Sequence, residues 1–151
     1  MTFRLSSRSL TRLAGVNKEL IKCVERAIVL TEVDFGVTEG LRTEARQIEL
    51  KLKGKSQTLK SKHIIGNAVD LVAYIGSDVS WELNLYDNVA DAMKEAATEL
   101  GLPLRWGAAW HINDFTKFEG TMEEAMMEYI DLRRSQGRRP FIDGPHFEIG
   151  E

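Results

Sequence analysis

The sequence has one cysteine in 151 residues, and a lone thiol excludes an intramolecular disulfide. Three prolines and 12 glycines are too few for a collagen-like or low-complexity chain. No apolar run approaches the roughly 20 residues of a membrane span, so no membrane insertion is expected. Charge of one sign is also missing. Twenty basic and 23 acidic residues leave −3, whereas a general nucleic-acid binder carries a basic surplus. Met1–Leu10 is polar and basic with no apolar core, so the sequence reads as made in the cytoplasm without a Sec signal peptide.

What is present is the material of one soluble domain spanning 1–151. It is 43% hydrophobic and 28% charged, and nothing suggests more than a monomer. A chain of this length buries roughly 70% of its unfolded surface, so it holds a core without staples. Cys23, among Ile21, Val24 and Ala27, reads as a small core residue. Charge is uneven only locally. Lys51–Lys62 holds five lysines and no acid, and reads as a solvated loop around Gly54; Arg133, Arg134, Arg138 and Arg139 form a second basic group.

Periodicity predicts a helix from an Asn17 cap to about Leu30, with Leu20, Ile21, Val24, Ala27 and Ile28 on one stripe. Phe35, Val37 and Leu41 alternate as in a strand, and Thr43 caps a short helix carrying Ala45, Ile48 and Leu52. Ala68–Tyr74 is a second strand, with Val69, Leu71 and Ala73 on one face and Asp70, Val72 and Tyr74 on the other. Ser80 is the expected cap of a long helix to Leu100, with Leu83, Val89, Ala90, Met93, Ala97 and Leu100 inward and Gly101 and Pro103 as the stop. Leu104–Trp106 reads as a strand. Thr121 to Glu124 has capping-box spacing for a helix to about Ser135, and the chain closes extended towards Ile149. The strands do not alternate strictly with helices, so an α+β fold with a mainly antiparallel sheet is expected.

Three histidines exist: His63, His111 and His146. Asp70 lies within an apolar strand, where a lone carboxylate is costly unless paired or bound to a metal. His63, Asp70 and His146 together form a donor set that zinc accepts, leaving room for water. The same residues also read as hydrogen-bonded polar groups of a core. Asp143 reads either as a base near such a metal or as the start of an Asp143-Gly144 turn. His111 reads as a solvated surface residue.

Four ordered elements carry a resemblance. Gly40-x-Arg42-Thr43-x-x-x-Gln47, Ser61-x-His63-x-x-Gly66-x-Ala68-x-Asp70, Leu104–Trp110 and Asp143-x-x-His146-Phe147-Glu148 occur in that order between about residues 36 and 149. The set resembles the zinc D-alanyl-D-alanine carboxypeptidase family, related to lysostaphin-type peptidases and the hedgehog zinc domain. Within it, the short chain is most similar to the L-alanyl-D-glutamate endopeptidases of phage endolysins. The resemblance implies a zinc fold with one Zn2+ held by His63, Asp70 and His146, and Asp143 as general base. It implies Arg42 as a catalytic group near the substrate, holding a carboxylate or the carbonyl oxygen as charge develops, Ser61 and Gln47 as substrate or supporting hydrogen-bonders, and Tyr74, Trp106 and Trp110 along a cleft or in the core. The implied substrate is the peptidoglycan stem peptide, cut between L-Ala and D-Glu. The implied setting is a cytoplasmic endolysin released by a holin or similar pore to the periplasmic wall of a Gram-negative host. The implied alternatives are a D-Ala-D-Ala carboxypeptidase or dipeptidase, and a non-enzymatic zinc-bearing peptidoglycan-recognition domain. Two departures stand out: residues 111–139 form an insert, expected to wall the cleft through the helix after Thr121, and Ala109 replaces an acidic residue common before the tryptophan.

Overall fold

The structure, a computed structural model describing residues 2–58 and 60–150, runs α1 (Ser7–Arg12), α2 (Lys18–Leu30), β1 (Phe35–Glu39), α3 (Glu44–Leu52), β2 (Ala68–Ile75), β3 (Asp78–Ser80), α4 (Leu83–Leu100), β4 (Leu104–Trp106), a 3-10 turn at Phe115–Lys117, α5 (Met122–Ser135) and β5 (His146–Ile149). All strand pairs are antiparallel, in the order β1-β2-β5-β4, with β3 also on β2. Ala73 pairs with Phe35 and Ser80, and Asp70 pairs with Glu39 and His146. The short β3 and β5 therefore follow one another along the same edge of β2. No helix among the described residues is long and apolar enough to cross a membrane.

Side chains alternate across a strand, so the two sheet faces divide cleanly. Val37, Val69, Leu71, Trp106 and Phe147 are buried and join one core with α2 and α4. Alanines 90, 96 and 97 let α4 approach closely where it packs against α2, β2 and β4. Cys23 lies in this core, and burial pushes its thiol up to about 12, which leaves it unreactive at neutral pH. The opposite face carries Glu39, Asp70, His146, Glu148 and Arg105.

Several local expectations change. The N-terminal segment, read only as polar, forms α1: the Ser6 side chain caps it, and Ser9 Oγ accepts from the Val37 N–H. This covers the outer edge of β1. In α3 the apolar stripe of Ile48 and Leu52 faces solvent, and Ala45 is exposed as well; Gln47 and Leu50 point inward. Leu41 lies beyond β1 and is exposed. Ser80 does not cap α4, because it pairs with Ala73 as the end of a β-hairpin with a Gly76-Ser77 loop. The helix starts at Leu83, which is exposed, as is Leu100. The Asn17, Thr43 and Thr121 caps form as their sequences predict.

One buried group works against the fold. Asp87 on α4 is buried, and that burial, with the Glu123 and Asp91 carboxylates, pushes it up to about 6. The folded state thus holds this proton more tightly than the unfolded chain, and stability falls as pH rises from about 4 through about 6. Asp87→Asn should raise Tm at pH 7.5 by about 2–4 °C, equivalent to about 1 kcal/mol, and leave it unchanged below about pH 4. Thermal melts at the two pH values check this.

Candidate active site

Register brings the polar face together. Asp70 pairs with Glu39 on β1 and with His146 on β5, so three polar side chains stand in one row across three strands. Glu39 reaches that row through a β-bulge: Val37 opposes Leu71, yet Glu39, two residues on, opposes the next residue, Asp70. Without the extra residue, Thr38 would take its place. His63 comes from the turn before β2. Its carbonyl accepts from the Arg42 N–H at 2.9 Å, and at Gly66, where φ is 76°, any Cβ would collide with the Gly15 carbonyl. Only glycine lets the turn sit that close to the α1–α2 connection.

Three donor atoms meet above the row. His63 Nε2 lies 3.1 Å from Asp70 Oδ1 and 3.2 Å from His146 Nδ1, and the last two are 3.3 Å apart. The outer nitrogens fix the tautomers. His63 Nδ1 donates to the Gly40 carbonyl at 2.7 Å, so its Nε2 presents a lone pair. His146 Nε2 donates to Glu148 Oε1 at 2.8 Å, so its Nδ1 does the same. Burial opposes the Glu148 charge, but the bond from His146 and nearby Lys62 hold this carboxyl below its ordinary range. Three lone-pair atoms at such separations form an edge-sharing face of a tetrahedron. Donors about 2.0 Å from a tetrahedral cation lie about 3.3 Å apart, so the group fits a metal ion. The surrounding field favours a cation there. Burial alone would lower His146, yet Asp70, Glu148 and Asp143 raise it to about 10. Without a metal a proton therefore takes the place of the metal on this ring, and the Nδ1 lone pair is free only when a metal displaces it. For Asp70, burial is overridden by His146 and His63, and its carboxyl is held well below the usual range.

A second layer fixes these ligands. The Arg42 guanidinium donates to both oxygens of Glu39 at 2.7 and 2.8 Å, to Gln47 Oε1 at 2.6 Å and to Asp70 Oδ2 at 3.3 Å. Gln47 Nε2 in turn donates to Ser56 Oγ and the Thr58 carbonyl. Arg42 and Gln47 are buried and spent on the protein itself, so Arg42 orients Asp70 and Gln47 ties down the lysine loop.

Asp143 opens a turn clamped by β4. Its N–H donates to the Gly107 carbonyl at 2.8 Å, the Gly107 N–H donates to the His146 carbonyl at 2.8 Å, and Trp106 Nε1 donates to the Gly144 carbonyl at 2.7 Å. A Cβ on Gly107 would strike the Asp143 carbonyl, so the strand passes there only as glycine. Burial first, then the Asp70 charge, push the Asp143 carboxyl up to about 6, against His146, His63 and Arg42.

The family model for phage L-alanyl-D-glutamate peptidases matches residues 1–149. The chain belongs to that family. The peptidase is 37% identical over 115 residues to the L-alanyl-D-glutamate peptidase of Escherichia phage T5, covering 74% of this chain and 84% of that one. It is 32% identical over 116 residues to the L-alanyl-D-glutamate peptidase of Listeria phage A118, covering 73% of this chain but 39% of that longer relative. Among solved structures, Serratia marcescens L-Ala D-Glu endopeptidase ChiX superposes with a TM-score of 0.72 at 35% identity, covering 97% of this chain and 90% of its own.

In the peptidase, His63, Asp70, His146 and Asp143 converge, and Asp70, His146 and Asp143 line a cleft of about 580 Å³ together with Ser61 and Trp110. The Ser61 hydroxyl accepts from the His63 N–H, and the Trp110 ring lies 5.3 Å from that of His146. Tyr74 is elsewhere. It shares the Asp70 face of β2 but is four residues along, about 13 Å, and its ring lies against Gly36. Trp106 is core. His111 is not a solvated surface residue: it is half-buried, stacks on Tyr129 at 5.7 Å and bonds Glu128 at 2.9 Å. The lysine loop is not simply solvated either, since Lys55, Lys60 and Lys62 line the cleft. Glu39 and Tyr129 carry no signal read from the sequence, Arg133 appears there only as one of a basic group, and Glu148 only within a motif. The available signal was the two-residue spacing that puts Glu148 and His146 on one strand face. Glu148→Gln should leave the fold intact and weaken divalent-metal affinity about 10- to 100-fold, measured by chelator competition.

Proposed function

We propose that this peptidase is a zinc-dependent peptidoglycan hydrolase cutting the L-Ala–D-Glu bond of the stem peptide. The observation that carries the reading is the convergence of three outward-tethered lone pairs beside a carboxyl raised to about 6. His63, Asp70 and His146 would hold one Zn2+. Two imidazoles and a carboxylate are a donor set of catalytic zinc sites, which keep a position open, whereas structural sites close with four protein ligands. When bound, zinc supplies Lewis acidity, polarising the scissile carbonyl and acidifying the attacking water. The names of the T5, A118 and ChiX relatives support the bond assignment.

Each protein group then has a task. Asp143 takes the proton of the attacking water and returns it to the departing D-Glu nitrogen. A base poised near neutrality suits that exchange, because it must both accept and release the proton. Arg42 acts as a positioning residue through Asp70, and Glu148 does so through His146. Trp110 and Ser61 border the space where the peptide lies. Release by a holin-type pore and action as a monomer on the periplasmic wall complete the reading.

Zinc-loaded protein incubated with Gram-negative peptidoglycan should release peptides beginning with D-Glu and leave glycan strands retaining only L-Ala, identified by mass spectrometry. Free D-Ala would instead mark a carboxypeptidase, and intact sacculi a recognition domain. Asp143→Ala should keep its metal and lose turnover by about 10²- to 10⁴-fold, while His146→Ala loses both. Metal analysis alongside peptide assays separates the two. Asp143 accepts a proton only when ionised. Its carboxyl is raised to about 6 without a metal and a bound cation beside it lowers that value, so kcat/KM of the zinc-loaded enzyme should fall towards acid with its limb at or below about 6. A profile that stays flat to about pH 4 with the metal retained would remove Asp143 from the role of base.

A further inference from the structure

Six cations line the cleft, and three are already engaged. Arg42 is held by Glu39, Gln47 and Asp70, Lys62 by Glu148 and the Ile149 carbonyl, and Arg105 by the Trp110 carbonyl. Lys55 and Lys60 are exposed on the lysine loop; Arg133, on α5, is different. Among the described residues no carboxylate lies within ion-pair distance of it, yet it is half-buried rather than waving in solvent. Its guanidinium carbon sits 5.4 Å from the ring centre of Tyr129, itself 1% exposed. The Tyr129 hydroxyl donates to the Phe141 carbonyl at 3.3 Å and accepts from the Phe141 N–H at 3.2 Å. Phe141 stands two residues before Asp143, so the platform under Arg133 is fixed to the segment that carries the proposed base. Both Arg133 and Asp143 line the same cleft.

The substrate supplies the matching charge. A glutamyl residue has two carboxyl groups, and the stem peptide continues from only one, so an anion remains within a few bonds of the nitrogen that leaves. That anion would lie in a cleft lined by the Asp70, Asp143 and Glu148 carboxylates as well as by these cations. Among the cations, Arg133 is fixed and unneutralised and offers two parallel N–H donors.

We propose that Arg133 binds the unlinked carboxylate of the D-glutamyl residue and makes the enzyme selective for stem peptides in which that group is a carboxylate rather than a carboxamide. The proposal rests on the L-Ala–D-Glu reading. It assigns to α5 the carboxylate contact that the resemblance allows at Arg42.

The test compares two synthetic peptides, L-alanyl-D-glutamyl-L-lysine linked through the side-chain carboxyl, with the remaining carboxyl either free or amidated. Zinc-loaded wild type should cleave the free acid with kcat/KM about 10- to 100-fold higher, the difference lying mainly in KM. Arg133→Gln should lose this preference, handling acid and amide alike, and Arg133→Lys should recover part of it. Arg134→Gln, an exposed neighbour outside the cleft, should retain the full preference. Equal cleavage of both peptides by wild type, or a preference that survives Arg133→Gln, overturns the proposal while the endopeptidase reading stands. Cleavage of neither peptide by the zinc-loaded wild type overturns both.

Discussion

Three hydrogen-bond acceptors brought within 3.1–3.3 Å of each other in a protein interior repel unless a positive charge stands between them. The polar face of this sheet is organised around that constraint. Each converging group is tied on its far side, His63 by the Gly40 carbonyl, His146 by Glu148 and Asp70 by Arg42, so none can turn away to relieve the repulsion. The converging groups come from the turn before β2, from β2 and from β5, and antiparallel pairing of β2 with β5 brings two of them, Asp70 and His146, into line. The buried polar residues that would otherwise weaken the sheet are therefore parts of one assembly that could hold a cation.

Much of this was legible in the sequence because the chain obeys simple periods where one face is dry. β2 alternates visibly because its core side is wholly apolar, and α2 shows its stripe for the same reason. α3 misled because the interior beneath it is polar: Gln47 must reach Arg42, so it turns inward and leaves Ile48 and Leu52 outside. Ser80 looked like a helix cap because local sequence cannot distinguish a capping serine from one paired across a hairpin. The candidate metal-holding residues could be named from ordered motifs, but residue chemistry alone favours reading them as hydrogen-bonded core groups. The contributions of Glu39, Tyr129 and Arg133 depend on a bulge, a stacking contact and a cleft wall, none of which has a signature in spacing.

Helix α5 walls the cleft without supplying any of the converging groups beneath it. α5 packs on α4, remote from the ligand row, and touches the site region through Tyr129 and Arg133. The ligand cluster draws its geometry from the sheet and the 61–67 turn, whereas the cleft takes its rim charges from α5 and the lysine loop. Bond-cleaving groups and surrounding charges thus lie on elements that can vary separately.

The bulge at Thr38 gives β1 a property akin to a reading frame. Side chains upstream of it point by one parity and those downstream by the other, and Glu39 reaches Asp70 only because the count shifts by one. A substitution at Thr38 changes one exposed side chain, whereas a one-residue deletion exchanges the core and site faces of everything between the bulge and Arg42. Length at this point carries more information than identity, and lineages of such chains would be expected to accept many residues at this position but not a gap.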